Sequence, residues 1–283
     1  MPNILNFFRH LRPGKKYQHK LACIGDSLTQ GFQNGCVYRT DLSFPSLIAH
    51  CFEHNKFHSP VFTEKGGLPV NLELLIRDLR KYVGENLSWK DYIPVATQLY
   101  SQMRSAKKHW ERLDYALPGS DESPFHNQAF WACAICDTWL LNYRNSTRFM
   151  RDHPPANSIF NAMPGNPMYQ TARLTLNPRL SDSASGNTVL DNIEQIHEDG
   201  GIENLILYLG SNNAIGAVTK LKFRYSEDDE LESLPEQRNF TVSRPEHFKR
   251  DFEKLAHQVD QLNPGRVITA TLPYLTIPPV TMG

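Results

Sequence analysis

The chain has 283 residues, and its 30 Lys and Arg balance its 30 Asp and Glu. A formal net charge of zero leaves no electrostatic footprint for nucleic acid or an anionic membrane, so neither is expected as a partner. Five cysteines, an odd count with no disulfide-framework spacing, point to a reducing compartment and a cytoplasmic protein.

From the amino end, Met1 to Lys16 holds too few apolar residues before Arg9 and His10 to form a signal-peptide core. Residues 1–19 read as an extension and 20–283 as one domain. No apolar run approaches the ~18 residues of a membrane span, so no stable membrane anchor is expected. The first strand is Leu21 to Ile24, closed by Gly25. Phe44 to Phe52 is apolar at helical spacing. A second strand is expected around Pro60 to Thr63, before Gly66 and Gly67. A helical region follows from Leu72 to Leu113, interrupted near Gly84 and Pro94. The third strand is Asn127 to Trp131. Residues 142–186, rich in Asn, Pro, Ser and Arg, read as an excursion that covers or lines a site. Thr188 to His197 carries Val189, Leu190, Ile193 and Ile196 on one helical face. Asn204 to Leu209 is the fourth strand, closed by Gly210. A charged excursion at 222–245 contains the acidic run Ser226 to Glu232, expected to be an exposed loop. The helix Phe248 to Leu262 and a fifth strand, Arg266 to Thr271, close the series before Pro273.

Strands alternating with helices, two of them short continuous apolar runs, imply an α/β fold: a mostly parallel five-stranded sheet covered on both faces. Sites in such sheets form at the carboxyl ends of strands, which directs attention to the turns there.

The first strand runs into Gly25-Asp26-Ser27-Leu28-Thr29-Gln30-Gly31. Gly25 permits a sharp turn. A serine just beyond it stands at the start of the next segment, where unpaired backbone N–H groups are available to a developing oxyanion. Taken alone, Gly-Asp-Ser after a strand reads slightly more readily as an Asx turn or helix cap than as a catalytic site. The fourth strand ends in Gly210-Ser211-Asn212-Asn213-Ala214, and a parallel sheet puts that turn on the same edge. An asparagine amide there supplies a further donor.

GDSLTQG resembles the first block of the GDSL (SGNH) hydrolases, and YLGSNNA is similar to their third, Gly-x-Asn-Asp. The resemblance implies a flavodoxin-like three-layer α/β/α fold, Ser27 as nucleophile and Asn212 as oxyanion-hole donor, with Asn213 standing where the family has Asp. The family's second block contributes a glycine N–H to the oxyanion hole. His126 to Cys133 resembles its Asn-x-Ala-x-x-Gly, with Ala132 at the glycine position; Asn161 to Gly165 keeps the glycine with its spacing off by one, and Tyr115 to Gly119 lacks the asparagine. Ala132 is favoured, with Gly165 second. The implied activity is hydrolysis of a carboxylic ester (lipid, acylated sugar or simple ester) through an acyl-enzyme, with no cofactor or metal. The family's closing Asp-x-x-His is absent, and a catalytic pair beyond residue 283 is the expectation. A non-catalytic module that keeps the pocket without a base is the alternative.

Other groups carry plainer expectations. Cys133 and Cys136 form one C-x-x-C and are expected to be buried apolar residues. His50, His54 and His58 read as a solvated helix end rather than a metal face, and His247 and His257 as solvent-facing. Glu194 and His197 fall before the fourth strand, on an exposed helix face. His126 is the internal candidate for a substitute base.

Overall fold

In the computed structural model, residues 16–52, 56–84, 88–119, 124–154 and 162–272 are described. His54, Asn161 and the residues from Pro273 onward lie outside this set. The principal sheet has four parallel strands: β1 (His19–Gly25), β5 (Asn127–Ala129), β6 (Ile202–Tyr208) and β7 (Arg266–Thr269), in the order β5-β1-β6-β7. Three two-residue strands, β2 (Phe32–Gln33), β3 (Cys36–Val37) and β4 (Leu68–Pro69), pair antiparallel beside it. The second strand, expected around Pro60 to Thr63, does not form. Phe62 there is fully buried, but against Trp110 and Leu68 rather than in a ladder.

Among the described residues the helices are α1 (Ser27–Gln30), α2 (Phe44–Cys51), α3 (Leu72–Val83), α4 (Tyr92–Trp110), α5 (Asp137–Leu140), α6 (Tyr143–Asp152), α7 (Pro167–Leu176), α8 (Val189–Glu198), α9 (Gly216–Thr219) and α10 (Pro245–Leu262). The long helical region does break at Gly84. Pro94 falls in the first turn of α4, where its missing N–H has no helical partner to lose, so it interrupts nothing.

The strand period of two sorts the apolar runs onto two faces. Ala22 and Ile24 of β1, with Leu205 and Leu207 of β6, pack with Ile193 of α8 and Leu255 of α10. Leu21, Cys23 and Ile206 point the other way, onto Ala49 of α2. Both faces are covered, and so the two central strands read as continuous hydrophobic runs. This is an α/β arrangement consistent with three layers.

The two intervening segments contribute to packing as well as to surface. Ala172 and Leu176 of α7 are buried in the main core, with Met150 of α6 beside them. In the acidic run, Ser226 is fully buried and Glu230 is nearly so, paired with Arg224 at 2.7 Å. Glu227, Asp228, Asp229 and Glu232 are exposed, as expected of this run, while the buried Glu230 carboxylate finds local donors in the backbone N–H groups of Glu227 and Asn239.

Candidate active site at the carboxyl edge of the sheet

Ser27 opens α1 directly after β1. Asp26 caps that helix, its Oδ1 accepting from the Leu28 N–H at 3.0 Å. Gly25 owes its place to room rather than to turn freedom. A Cβ there would lie 2.1 Å from Thr29 Oγ1, so only glycine lets α1 fold back onto the strand end. Asn127 of β5 secures the same helix from the side, donating to the Thr29 carbonyl at 3.0 Å.

Asn212 lies in the turn after β6, and its amide joins the three strand ends. Nδ2 donates to the Cys133 carbonyl at 3.0 Å and to Asp26 Oδ2 at 3.3 Å. One side chain therefore connects the residue before Ser27 to the residue after Ala132. Ser27, Ala132 and Asn212, separated by up to 185 positions in sequence, converge on one edge. Among the described residues no hydrogen bond engages the backbone N–H of Ser27 or of Ala132. Two donors are thus left open where Asn212 meets them.

Ala132 adopts φ 58°, the left-handed region. A side chain there costs roughly 1–2 kcal/mol that glycine avoids. The turn is held in place from below. Asp137, fully buried, accepts from the Ala134 N–H at 2.8 Å and pairs with Arg238 at 2.7 Å. Asn213, 2% exposed, accepts from the Ile135 N–H at 3.1 Å and donates to Ser243 Oγ at 3.1 Å. An amide suits this position because it is asked both to donate and to accept. Gly165, the other candidate for the second block, gives its N–H to Glu111 Oε1 at 3.1 Å. That donor is committed elsewhere.

Burial raises the Asp26 carboxyl to about 6, with the Leu28 and Thr29 N–H groups pulling the other way. Burial also raises the thiols of Cys133 and Cys136, so both stay protonated apolar residues, as expected. No group of three or more His, Cys, Asp or Glu among the described residues is arranged to hold a metal. A cavity of about 270 Å³ opens on the β7 side of the Asn212 turn, lined by Ser211, Asn213, Ser243, Phe248 and Leu272 among others. Ser27 is not part of its wall.

The histidines lie elsewhere. His126 Nε2 sits 2.8 Å from His19 Nδ1, and its Nδ1 accepts from the His58 N–H at 3.1 Å. His19 begins β1, so this pair occupies the amino-terminal side of the sheet, away from Ser27. That position removes His126 as a substitute base. His197 accepts from the Ile202 N–H at 3.3 Å, also at a strand start. His247 is 8% exposed, contrary to the solvent-facing expectation, because Ser226 Oγ at 2.8 Å and Asp228 Oδ1 at 3.0 Å take its two ring nitrogens. Ser226 itself is fully buried, so this chain of three fixes a loop and presents no nucleophile. His257 is exposed, as expected. Among the described residues no histidine hydrogen-bonds to Ser27.

Sequence reasoning missed Arg238, Ser243 and the second contact of Asp26. Each acts across more than a hundred residues or from an irregular loop, where no periodic pattern marks a partner. Comparisons with protein-family models, with curated proteins and with solved structures each found no match. Among the described residues no helix is long and apolar enough to cross a membrane.

Proposed function

We propose that the chain is an ester hydrolase of the GDSL type, in which Ser27 attacks an acyl carbonyl and carries the acyl group. The observation behind this reading is the bridge that Asn212 makes to Asp26 and to the Cys133 carbonyl, which brings the open N–H groups of Ser27 and Ala132 to one sheet edge. Attack on an ester carbonyl puts negative charge on its oxygen, and donors already in place stabilise that charge without reorganisation. In this reading the Ser27 and Ala132 N–H groups and the Asn212 amide are those donors, and the substrate is a carboxylic ester. The resemblance of GDSLTQG and YLGSNNA to the family's blocks supports the same roles.

Covalent labelling by a fluorophosphonate probe tests it directly. Adduct mass on the Ser27 peptide is expected for the wild-type chain, and Ser27→Ala is expected to fall to background. Equal labelling of the Ser27→Ala chain would refute the assignment.

The lack of a described histidine at Ser27 favours a second reading, a hydrolase-like binding module. It predicts saturable binding of an ester analogue with no adduct at Ser27. An adduct formed at a rate above that of free serine eliminates it.

A further inference from the structure

The sequence motif places an aspartate before Ser27, and helix capping explains only one of its two oxygens. Oδ1 accepts from the Leu28 N–H at 3.0 Å, a task that Ser, Thr or Asn performs equally well. Oδ2 accepts from Asn212 Nδ2 at 3.3 Å. Asp26 is 1% exposed, and no Lys, Arg or His among the described residues pairs with it. Burying a carboxylate without a cation is costly, so its retention calls for a use that a neutral cap would not serve.

We propose that Asp26 is a positioning residue for the reaction at Ser27, fixing through its second oxygen which way the Asn212 amide turns. The inference rests on the reading of Asn212 as an oxyanion donor. An asparagine amide has two faces of nearly equal shape, and rotating it by half a turn exchanges donor for acceptor. With Nδ2 toward the Cys133 carbonyl and Asp26 Oδ2, both contacts are favourable. Reversed, Asn212 Oδ1 would meet two acceptors. The carboxylate and the carbonyl together take both Nδ2 hydrogens and so fix the amide's orientation; an oxyanion would share the hydrogen of the longer, 3.3 Å contact. An asparagine at position 26 could not do this, because it has one acceptor oxygen for two donors. If it keeps the Leu28 cap, it turns its own NH₂ toward that of Asn212.

Asp26→Asn, Asn212→Ala and their double variant form a cycle read by the rate of fluorophosphonate labelling at Ser27. Asn212→Ala is expected to slow labelling about 10²–10³-fold. Asp26→Asn is expected to slow it roughly 10-fold, but by less than about 2-fold once Asn212 is already alanine, as for residues acting through one contact. Asp26→Ser keeps a capping oxygen and loses the reach to Asn212; it is expected to follow the same pattern and decides the matter if Asp26→Asn does not fold. The titratable groups facing Asp26 are the Cys133 thiol and the Tyr208 hydroxyl, both kept neutral by burial. The pH–rate profile of the wild type is therefore expected to carry a limb near 6 that Asp26→Asn lacks. An equal loss from Asp26 substitution in both Asn212 backgrounds overturns the proposal and leaves the Ser27 reading intact. A wild-type chain without adduct at Ser27, or an Asn212→Ala chain labelled at the wild-type rate, overturns both.

Discussion

The two edges of the principal sheet handle polar groups in opposite ways. At the amino-terminal side, His19, His126 and His58 engage one another, and His19 Nε2 also reaches the Asp199 carbonyl at 3.0 Å. At the carboxyl edge, the N–H groups of Ser27 and Ala132 have no partner among the described residues, and Asp26 is buried without a cation. Histidines are the residues a chemist inspects first, yet these are saturated and serve packing. The sparser edge, with donors left open around a hydroxyl, is where the proposed site lies.

Substitutions at the two edges should separate stability from reactivity. The largest stability effect is expected below the carboxyl edge. Arg238→Met leaves Asp137 charged, fully buried and unpaired, which should cost about 3–5 kcal/mol. Chemical denaturation measures that loss, and a shift under about 1 kcal/mol would show that Asp137 is satisfied by the Ala134 N–H alone.

The pH dependence of stability addresses the same edge. Burial holds the Asp26 carboxyl near 6 in the folded chain, above the ordinary 3.8. The folded state then holds the proton more tightly than the unfolded state. Its contribution is full below about pH 4 and is lost as pH rises through about 6, a span worth up to roughly 3 kcal/mol. Asp26→Asn should flatten that part of the curve of denaturation midpoint against pH. A curve of unchanged slope would remove Asp26 as the titrating group.

At the opposite edge, His126→Ala strips the partners of His19 Nδ1 and the His58 N–H, for a loss of about 1–3 kcal/mol. Labelling at Ser27 should stay within about 2-fold of wild type, since surface-remote changes of packing do not alter the donor set. A tenfold loss of labelling would break the contrast between the edges. The smallest effect is a gain: Ala132→Gly relieves the left-handed backbone and should stabilise by up to about 1 kcal/mol, offset by glycine's greater unfolded entropy. A loss above 1 kcal/mol would mean that the Ala132 methyl is packed in a way that outweighs the strain.

Much of the sheet was legible in the chain. Leu21 to Ile24 and, in the expected run Asn204 to Leu209, all but Leu209 form strands, because a parallel strand buried on both faces favours continuous apolar runs. Pro60 to Thr63 reads as a strand because burial of Phe62 against Trp110 looks, in one dimension, like burial in a ladder. The same ambiguity hid α7: Thr171, Arg173 and Thr175 are fully buried, and a helix buried all round with polar residues shows no apolar stripe.

By itself, the sequence determined the two central strands, the amphipathic helices α2, α8 and α10 and the local shape at Gly25-Asp26-Ser27, because these depend on neighbours within a few residues. Tertiary structure alone decided which of the flagged residues meet. It set Asn212 against Asp26 and the Cys133 carbonyl, committed the Gly165 N–H to Glu111, and carried His126 to the far side of the sheet. Those outcomes rest on strand order and on hydrogen bonds between distant segments, and neither leaves a periodic trace in the chain.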